Sequence, residues 1–140
     1  ALSHPGGSLG KRLLLRVEDI MHVGGAMPVV SKSALISAAL LEMTEKKLGM
    51  TAIVDADNKL IGIFTDGDLR RMLGKNLDLQ NTLIADVMTP NCTVIKAGAL
   101  AAEAMQIMER KKINALIVVD DQHHAVGALN MHDLIRAGIV

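Results

Sequence analysis

Gly62-Ile63-Phe64-Thr65-Asp66-Gly67-Asp68-Leu69 is matched 65 positions later by Gly127-Ala128-Leu129-Asn130-Met131-His132-Asp133-Leu134. In each stretch an apolar run breaks at a polar residue and passes into a helix-forming sequence, the pattern of a strand that turns directly into a helix. Thr51-Ala52-Ile53-Val54-Asp55 has a loose counterpart at the same offset, Leu116-Ile117-Val118-Val119-Asp120. Asp19-Ile20-Met21 recurs as Asp86-Val87-Met88 at an offset of 67, and two residues lost near Gly24-Gly25 account for the change. Unrelated segments would not keep both register and residue type across three blocks, so the chain is an internal repeat.

Each repeat reads as strand, helix, strand, strand, helix. The first opens on an extended stretch at Pro28–Val30, and the second at Thr93–Ile95. Ser33 is the expected N-cap of the first helix, whose stripe is Leu35, Ile36, Ala39, Leu40 and Met43, with Gly49 as its stop. Leu100, Ala104, Ile107 and Met108 form the second stripe. Hairpins are predicted at 51–64 and 115–129, and closing helices from about Gly67 and His132. One unit is too small to bury both faces of its sheet, so two should stack as a pseudo-symmetric pair of α/β (α+β) class. The expected organisation is a Gly-, Ser- and Pro-rich linker over 1–16, repeat 1 over 17–80 and repeat 2 over 81–140.

Composition narrows the function. The 140 residues are 50% hydrophobic, with one Phe, no Trp, no Tyr and nine Met, so the core must be aliphatic. Without aromatic stacking platforms, and with 15 basic residues balanced by 15 acidic ones, nucleic acid is not an expected partner. No apolar run approaches a membrane span and no signal peptide is evident. The single cysteine, Cys92, excludes an internal disulfide and suits a cytoplasmic protein. Ala1-Leu2-Ser3-His4 reads as the middle of a longer chain.

The chemistry-bearing block is strand, Thr-x-x-Asp, helix. A helix start offers free N–H groups, the Thr65 hydroxyl can donate to a phosphate oxygen, and Asp68 can accept from a ribose diol. Gly62 and Gly67 would let a ligand approach the backbone. The bland alternative is that Thr65 or Asp66 caps the helix and Asp68 favours its dipole. Recurrence of the Asp at the same distance in the second copy, Asp133, favours a ligand role.

These two blocks resemble the Gly-h-h-Thr/Ser-x-x-Asp signature of CBS domains, over essentially all of residues 17–140. The resemblance implies a CBS pair that binds AMP, ATP, S-adenosylmethionine or a related ligand between its repeats, the Asp on the ribose and the hydroxyl residue on the phosphate. Thr65 and Asp68 match fully. Asp133 matches in the second copy, where Asn130 replaces the hydroxyl residue. The family also walls each site with the start of the other repeat, which would bring Met88 and Thr89 toward Asp68, and Met21 and His22 toward Asp133.

The stretches Ser3–Gly10, Leu13–Val17, Phe64–Arg71 and Asn130–Leu134 further resemble bacterial arabinose-5-phosphate isomerases, in which a sugar-isomerase (SIS) domain precedes a CBS pair. That resemblance implies a regulatory module whose partners are its own SIS domain and a second copy of itself, as a homodimer or higher homo-oligomer. His4 would be the histidine that ends the SIS active site, inactive on its own, so the fragment is not expected to be an enzyme. It adds CMP-Kdo, the activated end product of the pathway, to the adenine nucleotides as a candidate regulator. Arg70, Arg71, His22 and His132 would offset its charge, whereas Asp66 would repel a phosphate unless it points away. Arg70 and Arg71 equally suit a solvated helix face. No cofactor is expected. His22, Cys92, His123, His124 and His132 lack metal-ligand spacing, so no metal is expected either. Glu42, Glu45, Lys46 and Lys47 read as a solvated helix face with i,i+4 pairs. The competing reading is an interaction module with a vestigial cleft.

Overall fold

A computed structural model of the chain describes residues 5–139. Its elements in order are α1 (Pro5–Leu14), α2 (Val17–Ile20), β1 (Val29–Ser31), α3 (Ile36–Lys46), β2 (Met50–Val54), β3 (Leu60–Thr65), α4 (Asp66–Met72), β4 (Thr89–Pro90), β5 (Val94–Lys96), α5 (Ala101–Lys111), β6 (Ala115–Val119), β7 (Ala125–Asn130) and α6 (Met131–Arg136). Each repeat is organised by its hairpin. Met50 pairs with Thr65 across β2–β3 as Ala115 pairs with Asn130 across β6–β7, and the register shift at Ile53/Val54 recurs at Val118/Val119. β1 joins β2 in parallel and β5 joins β6 in parallel, so α3 and α5 are the crossover helices that a parallel pair requires.

The turns of the two hairpins are built alike. Asp55 Oδ1 accepts the N–H groups of Asp57 (2.9 Å) and Lys59 (3.0 Å), while Asn58 takes the left-handed conformation. Asp120 Oδ1 accepts those of Gln122 (3.0 Å) and His124 (2.8 Å), with His123 left-handed. Donation from Lys59 and from His124 is the main cause holding each carboxyl below its ordinary pKa. The turns also join one another: Leu60 N–H donates to the His123 carbonyl (2.9 Å), and Ala125 N–H to that of Asn58 (3.1 Å).

Three apolar clusters make the core, and their membership explains why one repeat does not suffice. The first lies between the sheets and draws Met50, Ala52, Val54 and Ile63 from one repeat and Ile117, Val119, Ala125 and Ala128 from the other. All of β2 is consequently buried, on both faces. The second cluster packs α5 and α6 on β6 and β7, but it includes Val17, Ile20 and Met21 from the start of the chain. The third packs α3 and α4 on β2 and β3, and it includes Ile84, Val87 and Met88 from the start of the second repeat. The sequence repeats and the packing units therefore differ, because each repeat sends its opening segment into the other's core. That exchange also adds β4 to the first sheet, where Ile63 pairs with Thr89, and bridges His22 to Ala128 of β7.

Several local expectations are corrected. The opening strands begin at Val29 and Val94, one residue later than predicted. α3 begins at Ile36, not after Ser33; Ser33 N–H instead donates to Ser31 Oγ (3.2 Å), and Leu35 stays extended to bridge Leu83. α3 ends on left-handed Lys47, two residues before Gly49, and α5 ends likewise on Lys112. Residues 5–14 of the presumed linker are helical, and α1 packs against α5. The expected i,i+4 pair does form between Glu42 and Lys46 (2.8 Å), but the Glu42 carboxylate also accepts Val29 N–H (3.0 Å), tying α3 to β1.

Gly62 and Gly127 admit the protein's own side chains, not a ligand. A Cβ on Gly62 would collide with the Met88 thioether and come within 2.9 Å of the Thr89 carbonyl, while one on Gly127 would lie 2.6 Å from Met21 Sδ and 3.3 Å from the His22 carbonyl. The methionine tip can yield at Gly127, but backbone blocks the way at Gly62. Gly62→Ala should cost about 1–3 kcal/mol and Gly127→Ala distinctly less. Urea denaturation of the two variants checks this, and equal losses would refute it.

Candidate nucleotide cleft

Thr65 and Asp68 meet because β3 passes into α4 without a loop. Thr65 remains extended as N-cap, and Asp68 is the third helical residue, so the two close a capping box. Thr65 Oγ1 accepts Asp68 N–H (3.1 Å), and Asp68 Oδ2 accepts Thr65 N–H (2.9 Å) and the Thr65 hydroxyl (3.1 Å). Asn130 and Asp133 close the same box at the start of α6: Asn130 Oδ1 accepts Asp133 N–H (2.9 Å) and Asp133 Oδ2 accepts Asn130 N–H (2.8 Å). Capping thus accounts for the twice-repeated spacing, contrary to the inference drawn from the sequence. The box uses only one carboxylate oxygen, however, and the other is the informative one.

Asp68 Oδ1 takes the Arg71 guanidinium (Nη2, 2.6 Å) and the Thr89 hydroxyl (3.3 Å). The Arg71 side chain is 73% exposed. An ion pair so placed contributes about 0–1 kcal/mol and exchanges readily for another partner. Asp133 Oδ1 takes His22 Nε2 at 2.9 Å, with Arg136 Nη2 at 3.9 Å, and its side chain is only 7% exposed. A carboxylate acceptor keeps the proton on Nε2. Thr89 and His22 occupy equivalent places in the exchanged segments, so both expected pairings across the repeats form.

The principal cleft, of about 860 Å³, lies between the repeats. It is lined by Thr65, Asp68, Arg70, Arg71 and Thr89 on one side and by Asn130 and His132 on the other. Met21, His22, Met88 and Asp133 do not line it: both methionines pack in the core clusters, and Asp133 is covered by His22. Sequence reasoning missed Lys112 and Asn114, which reach the cleft from the corner between α5 and β6. Their equivalence to Lys47 and Gly49 in the first repeat was the available signal. Cys92 also lines the cleft, its thiol pushed up in pKa by burial. Asp66 reaches toward Gly49, within 3.0 Å of where a Cβ would stand, and lines both the principal cleft and a second groove with Leu40, Met43 and Lys47.

Helix starts contribute less here than expected. α4 has seven residues and α6 six, and the first-turn N–H of each capping box is already satisfied by its own side chain. Attraction for an anion must come from Arg70, Arg71, Lys112 and His132 when protonated. Among the described residues no three His, Cys, Asp or Glu side chains gather as a metal site, and no helix is long and apolar enough to cross a membrane. His4 lies outside the described residues.

The CBS domain family model matches residues 17–75 and 84–139. The chain belongs to the CBS domain family, as a tandem pair. Over all 140 residues it is 56% identical to an arabinose 5-phosphate isomerase, KdsD, of Pseudomonas aeruginosa and 52% identical to that of Escherichia coli K12. It spans 43% and 42% of those proteins, less than half their length. Among solved structures it is similar to CBSX2 in complex with AMP (TM-score 0.75, 25% identity, 89% of this chain and 96% of that one). It is also similar to the CBS pair of MJ0100 in complex with 5-methylthioadenosine and S-adenosyl-L-methionine (TM-score 0.74, 26% identity, 86% and 97%).

The two carboxylates should differ in what their loss costs. Asp68→Ala removes a capping box and an ion pair whose arginine is exposed, about 1 kcal/mol. Asp133→Ala removes a box and also strips His22 of its partner, about 2–3 kcal/mol. Chemical denaturation should rank Asp133→Ala as the more destabilised, and the reverse order would contradict these geometries.

Proposed function

We propose that this CBS pair is the regulatory ligand-binding module of an arabinose 5-phosphate isomerase, with a preceding SIS domain as its partner in the full protein. The ligand is a nucleotide or nucleotide-sugar held in the cleft between the repeats. One observation carries the reading: Asp68 turns its second oxygen toward a roomy cleft, beside the Thr89 hydroxyl and a displaceable Arg71. A ribose diol replaces Arg71 on that oxygen, and the freed guanidinium then meets the phosphate with Arg70 and Lys112. The volume lies within the usual range for small-molecule sites. AMP in the CBSX2 structure supports an adenine nucleotide. The excess of Arg70, Arg71 and Lys112 over Asp66 and Asp68 in the lining supports an anionic ligand such as CMP-Kdo, whose carboxylate adds to its phosphate.

Competitive calorimetry with AMP, ATP, CMP and CMP-Kdo tests this. Asp68→Ala should weaken the ligand at least tenfold, about 1.4 kcal/mol, and Asp133→Ala by less than about threefold. Binding of AMP or ATP with no heat or competition from CMP-Kdo would leave the adenine reading and remove the end-product one. No binding by any of the four would favour the module as an assembly element.

Self-association belongs to the same reading. Leu41, Leu73 and Ile135 are exposed apolar side chains on or beside α3, α4 and α6, which suits a helix-lined contact between copies. Sedimentation at tens of micromolar, a range that detects modest affinities, should show dimer or larger; monomer alone would refute it.

A further inference from the structure

The two halves of the molecule carry the same site twice, on the same backbone. Asp133 corresponds to Asp68, Asn130 to Thr65, Arg136 to Arg71 and His22 to Thr89. The β-bridge of His22 to Ala128 repeats the pairing of Thr89 with Ile63, and the two capping boxes are alike. What differs is the state of the free carboxylate oxygen. At Asp68 it meets one hydroxyl and a guanidinium on a side chain 73% exposed; at Asp133 it meets, at 2.9 Å, an imidazole on a side chain 31% exposed, the two carboxylates themselves being similarly covered (12% and 7% exposed). Asn130 is committed too: its Oδ1 accepts Asp133 N–H, and its Nδ2 donates to the Leu48 carbonyl (3.2 Å). Only its second Nδ2 hydrogen is left there for a phosphate.

We propose that His22 is a built-in occupant of the second site: its ring takes the Asp133 oxygen that a ribose diol would need, so each chain binds one nucleotide, at Asp68. This rests on reading the Asp68 cleft as a nucleotide site. A buried carboxylate requires a partner, and His22 supplies it from within the chain. Ligand entry must displace a largely covered imidazole at Asp133, whereas at Asp68 it displaces an exposed arginine. His22 is thus a specificity-determining residue that sets stoichiometry, and not a wall that contacts ligand.

The test is calorimetric stoichiometry with AMP and with CMP on this chain. The parent sequence should take one nucleotide. His22→Thr, which copies Thr89, should take two, and adding Asp133→Ala should return it to one. Two sites in the parent, or one site in a folded His22→Thr, would overturn the proposal. If the parent binds neither nucleotide, the reading of the Asp68 cleft fails. His22→Thr still decides this inference, since a site gained and then lost with Asp133→Ala supports it and none gained refutes it. A second measurement does not depend on the variant folding: in the parent, saturating nucleotide should leave the His22 ring resonances unmoved, and a shift like that of Thr89 would also overturn it.

Discussion

Everything in this molecule depends on the exchange of opening segments between the repeats. Val17 is fully buried among residues of the second repeat, and its N–H donates to the Ala99 carbonyl (2.8 Å). Ile84 is fully buried in the first, donating to the Ala34 carbonyl (2.8 Å) while Ile36 N–H donates to that of Thr82 (2.9 Å). Each half thus lacks part of its own core until the other is present. The same exchange delivers Thr89 to Asp68 and His22 to Asp133, so the assembly of the core and of the sites is a single event. Met88 over Gly62 fixes the depth at which its segment seats, because a side chain there would meet the Thr89 backbone, whereas Met21 over Gly127 can yield at its tip.

The repeat, the hairpins and the helix faces were legible because each is written in a period. Apolar runs of five or six residues bounded by Asp-rich turns give the hairpins, and the 3.6-residue stripes give α3 and α5. Helix ends were less legible. Leu35 and Leu100, which continue the apolar stripes, stay extended because they bridge Leu83 and Arg16 in strand fashion. The stops were misplaced because Lys47 and Lys112 adopt the left-handed conformation, a position usually given to glycine. Nothing in a linear reading shows that Gly62 makes room for a methionine 26 positions on, since that contact exists only through the exchange.

At the site, the pairings Asp68–Thr89 and Asp133–His22 were legible, but not which residues line the cleft nor how their atoms divide the work. Thr-x-x-Asp is a capping box, so its spacing is demanded by the helix start whether or not a ligand binds. The proposed ligand contact lies in the second carboxylate oxygen, where one partner, Thr89 or His22, comes from the other repeat. That is why the two copies, near-identical in spacing, present different chemistry. Lys112 shows the same limit. Its side chain reaches the cleft only because the α5–β6 corner stands opposite α4, a relation between repeats and not within one.

A pair of sites related by pseudo-symmetry need not be used as a pair. If both were open, a ligand would stabilise both halves alike, and occupancy would say little about one half relative to the other. On the proposal that His22 holds Asp133, a ligand at Asp68 would act on one side only while touching cleft walls from both repeats, Arg70 and Thr89 together with Lys112 and His132. Its binding free energy then depends on how the repeats sit against each other, and a ligand shifts a conformational equilibrium only by such a difference. On this proposal, histidine in place of threonine in an exchanged segment makes the use of the pseudo-symmetric pair directional.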